Sequence, residues 1–232
     1  MGVASVNRLH FGSVKLAGRY NPPTHADTRI EVFGYLVVTE SSDVVLIDTG
    51  VGERNRYIDT TFEPVRTSVV DELARFGVAT SDVQFVVNSH LHFDHCGNNR
   101  LFRAARVLIQ RTELEVARDP NARHTINDWL DYRGARITAV DGDSEIVAGV
   151  RLLASPGHTP GHQSVLITSS AGRTLVAAQA AFTLDEYRRG GDPKEQAHAG
   201  FVDQYCDSIV RLKATGVPDV RFSHDASDSM AR

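Results

Sequence analysis

Cysteine is almost absent. Cys96 and Cys206 are the only two in 232 residues and lie far apart in the chain. Such a pair is no disulfide framework and suits a reducing compartment, so cytoplasm is the expected location. Basic runs are equally scarce, with Arg188-Arg189 the most conspicuous, and the net charge is −4 with a pI near 6.2. That balance speaks against a nucleic-acid partner. The opening Met-Gly-Val-Ala-Ser-Val-Asn-Arg has no long apolar core behind a basic start, and Val6 breaks the myristoylation pattern. No membrane partner is expected. There is no low-complexity tract and no obvious linker, and 41% of the residues are apolar. A chain of this length and composition can bury a real core, and one domain over 1–232 is expected. Nothing in the composition fixes an oligomeric state.

What the chain does contain is a series of short β-branched runs. Strands are expected at Ile30 to Thr39, Val44 to Ile47, Val83 to Val87 and Arg106 to Ile109, then at 136–140, 145–154, 163–169, 173–177 and 219–223. Gly, Asp and Ser separate them as turn signals. Helical spacing occurs at Thr67 to Phe76, Thr112 to Arg118 and Val202 to Thr215, where apolar residues recur on one side. Strands and helices therefore intermix without the regular alternation of a doubly wound sheet, which makes an α/β protein with β-rich halves and peripheral helices. Two polar segments, Asn21 to Asp27 and Arg188 to His198, read as flexible loops that could border a substrate mouth.

Directly after the apolar run Val83 to Val87 comes Asn-Ser-His-Leu-His-Phe-Asp-His-Cys-Gly, so His90, His92, Asp94 and His95 fall within six positions. Imidazole and carboxylate suit zinc and related first-row cations. Two residues apart, His90 and His92 project the same way from an extended chain, and a turn at Asp94-His95 would bring the other two round. Packing gives no reason to crowd ionisable groups at a strand end. Cys96, beside them, reads as a small buried residue.

Two later segments add candidates. Ser155 to His162 places His158 at the apex of a tight Gly-Pro loop, and His162, at the start of the next strand, reads as a supporting or packing residue rather than a ligand. Val220 to Asp225 is a short strand running into His224. His10, His25, His124 and His198 lack such settings and read as ordinary surface or loop residues.

Together these segments resemble the metallo-β-lactamase superfamily, through His90-Leu-His92-Phe-Asp94-His95, Ile47-Asp48-Thr49-Gly50, Pro156 to His162 and His224. Within it the likeness is greatest to N-acyl homoserine lactonases, through Ser89 to Gly97, Gln110-Arg111-Thr112-Glu113 and Pro156 to Ser164. The resemblance implies a four-layer αβ/βα sandwich, two mixed β-sheets face to face with helices outside, and metals at one edge. By that resemblance His90, His92 and His158 would hold one metal, and Asp94, His95 and His224 a second. Asp48 would steady the ligands from behind. A hydroxide between the metals would attack a lactone carbonyl, with Asp94 taking up and returning the proton.

The chain departs from the pattern in two places. Where the family has an aspartate bridging both metals, this chain has Gln179, a neutral amide that is at best a weak ligand and cannot bridge as a carboxylate does. One tight zinc site is expected, with the second weaker or absent. Where such lactonases carry a tyrosine against the substrate carbonyl, Phe182 stands; the ring remains for substrate binding, but a donor worth about 1–3 kcal/mol in the transition state is gone. Tyr187, five positions on, is an alternative source of that hydroxyl. The leading expectation is a zinc-dependent hydrolase of a small lactone or ester, of the quorum-quenching kind. A mononuclear iron oxidoreductase on the same scaffold, and a catalytically reduced metal- or ligand-binding relative, are the alternatives. Tyr20, Phe33, Phe62, Phe182 and Phe201 could line a pocket or belong to the core.

Overall fold

The computed structural model describes residues 3–16, 28–119 and 125–227. Its organisation is visible in one four-residue strand, Val44–Ile47 (β3), in which every residue is buried. Val44 and Leu46 enter one apolar cluster, Val45 and Ile47 another. Side chains alternate along a strand, so a strand apolar at every position must be covered on both faces. The same division holds in Phe85–Val87 (β5) and Arg106–Gln110 (β6), where Val86, Val107 and Ile109 point one way and Val87 and Leu108 the other.

The first sheet runs from Ile137–Val140 (β7) through β6, β5 and β3 to Arg29–Thr39 (β2) and Val3–Lys15 (β1), with the short Val65–Arg66 (β4) on the far side of β1. The second comprises Ser144–Val147 (β8), Val150–Ala154 (β9), Gln163–Ser169 (β10), Gly172–Ala178 (β11) and Asp219–Phe222 (β12), paired in that order. One parallel contact, Val3 with Ser169, joins the two. Between them lies a core in which Tyr35, Val37, Val45, Ile47, Val87 and Leu108 meet Val150, Leu152, Val165, Ile167 and Val176.

Each outer face is closed by helices. On the first sheet sit Arg56–Thr61 (α1), Val69–Ala74 (α2), Arg111–Ala117 (α4) and Asn127–Leu130 (α5), which contribute Ile58, Leu73, Leu114 and Trp129. On the second, Leu184–Arg189 (α6) and Val202–Ala214 (α8) cover Leu175, Ala177 and Phe222 with Tyr187, Tyr205, Ile209 and Leu212. The result is two mixed sheets flanked by helices, in four layers, as the resemblance implies.

Several elements differ from the sequence reading. The run 145–154 is two strands, β8 and β9, broken at Gly149, whose φ of +83° turns the chain back on itself. Part of the segment read as a flexible loop, 188–198, is helical: α6 ends at Gly190 in the left-handed conformation, and Pro193–Gln196 (α7) starts behind the side-chain cap of Asp192. β1 is a strand that the sequence pattern does not reveal. The loop Asn21 to Asp27, with Tyr20, His25 and His124, lies outside the described residues.

Topology brings the candidate residues to one edge. β3, β5 and β6 are mutually parallel, as are β11 and β12, so their carboxyl ends point the same way within each group. Asp48 follows β3, His90 follows β5, Gln179 follows β11, His224 follows β12, and His158 lies in the β9–β10 loop. A buried amide ladder holds the two sheets together there: the Gln163 backbone N–H donates to Ser89 O (2.8 Å), its side chain to Asn88 O (2.8 Å), and Gln110 donates to Gln163 Oε1 (2.9 Å).

Candidate metal centre

Asn88 to Gly97 leaves β5 extended and then coils into the single turn Phe93–Cys96 (α3). His92, its N-cap, still has extended backbone (φ −67°, ψ 153°). His90 and His92 therefore project from extended chain, and Asp94 and His95 from the turn. The structure gathers the candidates into two triads, His90, His92 and His158, and Asp94, His95 and His224. In the first, ring centroids are 4.5 Å apart for His90 and His92, 4.8 Å for His90 and His158, and 4.9 Å for His92 and His158. In the second, Asp94 Oδ2 lies 3.5 Å from His95 Nε2 and 3.7 Å from His224 Nε2. The triads adjoin, with the His90 and His95 rings 4.0 Å apart.

The hydrogen bonds behind these rings assign their tautomers. His95 Nδ1 donates to Asp48 Oδ2 (2.8 Å), His158 Nδ1 to Gln196 O (3.1 Å) and His224 Nδ1 to Glu31 O (2.7 Å). The Ser89 hydroxyl spends its proton on Asp48 Oδ2 (2.8 Å), so His90 Nδ1, 3.1 Å away, donates to it. His90, His158 and His224 thus present a bare Nε2 inward, the form in which imidazole binds a metal, while His95 Nε2 meets the Gln179 side-chain oxygen. His90 Nε2 and His224 Nε2 are buried with no hydrogen-bond partner, and such atoms ordinarily cost about 1–3 kcal/mol each. His158 Nε2 and His92 Nδ1 face each other at 3.2 Å, close to the ~3.3 Å edge of a tetrahedron with zinc–nitrogen bonds of ~2.0–2.1 Å. The residues fit a divalent cation.

Electrostatics agree with that geometry. Burial, then the neighbouring imidazoles, holds His90 and His158 far below the usual histidine range, and burial brings His224 down to about 4. These rings are neutral at pH 7, as ligands must be. Burial opposes charging of His95 as well, but Asp94 and Asp48 outweigh it and raise its pKa.

Asp48 sits behind both triads. Its buried carboxylate accepts from the Ser89 N–H (2.7 Å), the Ser89 hydroxyl and His95, so it orients His95 directly and His90 through Ser89. It does so from φ +61°, and Ala178, just before Gln179, has φ +53°. Left-handed backbone at non-glycine residues costs on the order of 1–3 kcal/mol and concentrates at functional sites.

Gln179 is buried, with Oε1 3.1 Å from His95 Nε2 and its backbone N–H donated to His162 Nε2 (3.3 Å). His162, anchored through Nδ1 to Ser155 Oγ (2.9 Å), thus has both nitrogens engaged by the protein. Phe182 is half-buried and stacks on the His224 ring, centroids 5.1 Å apart at 28°. Tyr187 does not replace its missing hydroxyl: α6 turns that ring into the outer core against Phe222, with Lys213 over its face. Of the other aromatics, Phe62 packs on Phe93 (4.3 Å) in the outer core, Phe33 is buried beneath the Arg8 guanidinium, and Phe201 lies beside His198. His10 pairs with Glu31 (2.6 Å), His198 is exposed, and the Cys96 thiol is buried. Ser89 and Glu113 carry no role in the sequence pattern beyond their motifs; adjacency to His90 is the one available signal for Ser89.

A helix-flanked double sheet with two adjoining His/Asp triads at its edge defines a class. Residues 28–231 match the metallo-beta-lactamase superfamily, and the chain belongs to it. Within that class it is similar to an N-acyl homoserine lactonase of Bacillus cereus, 35% identical over 215 residues that cover 84% of this chain and 82% of the relative. N-acyl homoserine lactonase AiiA of Bacillus thuringiensis subsp. kurstaki is 34% identical with the same coverage. An N-acyl homoserine lactone hydrolase solved with the product N-hexanoyl-L-homoserine at its catalytic metal centre superposes with a TM-score of 0.82 and 28% identity, over 98% of this chain and 95% of that one. Among the described residues no helix is long and apolar enough to cross a membrane.

Proposed function

We propose that this chain is a metal-dependent hydrolase that opens N-acyl homoserine lactones or closely related esters, and so quenches signalling by such lactones. The observation that carries this reading is the pair of adjoining triads, five imidazoles and one carboxylate, in which His90 Nε2 and His224 Nε2 are buried with no hydrogen-bond partner, on a fold shared with lactonases. His90, His92 and His158 would hold one zinc, and Asp94, His95 and His224 a second. A divalent cation there supplies Lewis-acid polarisation of the carbonyl and brings the pKa of water towards neutrality.

The chain's own groups do the rest. Asp94, whose side chain keeps 9% of its surface exposed, takes the proton of the attacking water and returns it to the ring oxygen as the acyl C–O bond breaks. Water adds across that bond, and the product is the open hydroxy acid. Asp48 fixes the tautomer and orientation of His95. Phe182 offers an apolar face beside His224 but no hydroxyl to the substrate carbonyl. Gln179 occupies the place of a bridging carboxylate, which leaves Asp94 as the one anion among the two triads and Gln179. The three-histidine triad binds its metal tightly and the second triad binds weakly.

Elemental analysis and a substrate panel test this reading. Metal-loaded protein is offered N-acyl homoserine lactones of several acyl lengths, aryl esters and thioesters, and lactone opening should exceed the others. If neither the parent nor a Gln179→Asp, Phe182→Tyr double variant opens any lactone, the lactonase reading is wrong.

A further inference from the structure

Glu113, on α4, lies outside both triads, and the proposed reaction makes no use of its carboxylate. It is nevertheless only 3% exposed, and its two oxygens divide between two backbone donors. The Leu91 N–H donates to Oε1 (2.9 Å) and the Gly161 N–H to Oε2 (3.0 Å). Leu91 sits between His90 and His92, and Gly161 lies in the loop that carries His158. Those loops leave different sheets, so one carboxylate ties them together at the height of the three-histidine triad. Contact at the second loop is close: a Cβ on Gly161 would come within 2.2 Å of the Glu113 backbone nitrogen and 2.6 Å of its Cα. From the other side, Thr125 Oγ1 holds the Leu91 carbonyl (2.9 Å).

We propose that Glu113 is a positioning residue for the metal centre: its carboxylate sets the separation between the loop of His90 and His92 and the loop of His158. The chemistry favours a carboxylate here. Two N–H groups converge on one side chain, and only an acceptor on each oxygen serves both. An amide would meet one of them with its own NH2. Groups that orient metal ligands from behind typically change metal affinity about 10–100-fold when altered.

The inference rests on the metal-centre reading but not on the identity of the substrate. Its test is zinc affinity, measured on the full chain by competition with a chromogenic chelator, together with the visible spectrum of the cobalt-substituted protein and the thermal midpoint of the metal-free protein. Glu113→Gln, nearly isosteric, and Glu113→Asp, too short to reach both loops, are compared with Asp219→Asn, which disturbs an ion pair with Arg221. The Glu113 variants should weaken the tighter zinc site about 10–100-fold and alter the cobalt spectrum. Asp219→Asn should lower the thermal midpoint and leave both untouched. Parent-like zinc affinity and cobalt spectrum in both Glu113 variants, even with a lowered midpoint, would make Glu113 a purely structural residue and overturn the proposal. A parent that binds no metal overturns this inference and the metal-centre reading together.

Discussion

Gln179→Asp isolates the consequence of one missing charge. Gln179 Oε1 lies 3.1 Å from His95 Nε2, and aspartate, one methylene shorter, draws its oxygens back by about 1.5 Å. A carboxylate roughly 4 Å from a dication gains about 8 kcal/mol at an effective dielectric of 20. Desolvating a carboxylate at this buried position costs several kcal/mol. The difference, about 2–4 kcal/mol, corresponds to roughly 30- to 1,000-fold tighter binding at the Asp94, His95 and His224 triad. The His90, His92 and His158 triad is complete without this residue, so its affinity should change much less. Isothermal titration of metal-free parent and variant with zinc, checked by elemental analysis after desalting, reads both sites in one experiment. We expect near one retained equivalent in the parent and near two in the variant. Two tight equivalents in the parent, or a second-site affinity within threefold of the parent in Gln179→Asp, would refute the electrostatic argument.

Three other outcomes follow from the same structure. Phe182→Tyr should raise kcat/KM for a lactone about 5–150-fold, the equivalent of a 1–3 kcal/mol donor, without changing zinc stoichiometry; an unchanged rate would place the substrate carbonyl elsewhere. Asp48→Asn removes the acceptor for His95 Nδ1 and for the Ser89 hydroxyl, and zinc affinity by chelator competition should fall about 10–100-fold. His162, held near pKa 3 by burial, stays neutral in the native chain while the unfolded chain titrates near 6.5. Between those values the unfolded state binds more protons, so metal-free protein loses stability as pH falls, by about 2 kcal/mol from this residue at pH 5. Urea unfolding at pH 7 and pH 5 should show a smaller difference in His162→Gln than in the parent; equal differences would contradict the assignment.

The ligands were readable because they are local. His90, His92, Asp94 and His95 crowd one strand end, and Gly157 with Pro156 and Pro160 mark a forced loop around His158. Apolar, β-branched strands such as β3 and β10 appear in the sequence with the boundaries they have in the structure. β1 was hidden because Ser5, Asn7, Ser13 and Gly12, the last at φ +107° beside a register shift, read as loop; its ordering comes from pairing with β2, which no local pattern encodes. The residues that orient the ligands were hidden for the same reason. Gln196 and Glu31 act through backbone carbonyls, for which side-chain identity is irrelevant, and Glu113 matters only because two loops from different sheets meet at it. Tyr187 failed as a substitute hydroxyl donor because the turns of α6 send it into the outer core.

Turnover of an N-acyl homoserine lactone as a function of bound metal tests the central claim most directly. Metal-free protein is loaded with zinc in steps, and ring opening is followed by the mass of one added water. The account predicts no opening without metal, activity that climbs with the first equivalent, and its loss in His90→Ala and His158→Ala. Equal turnover by the metal-free protein, or none at full metal occupancy, would contradict it.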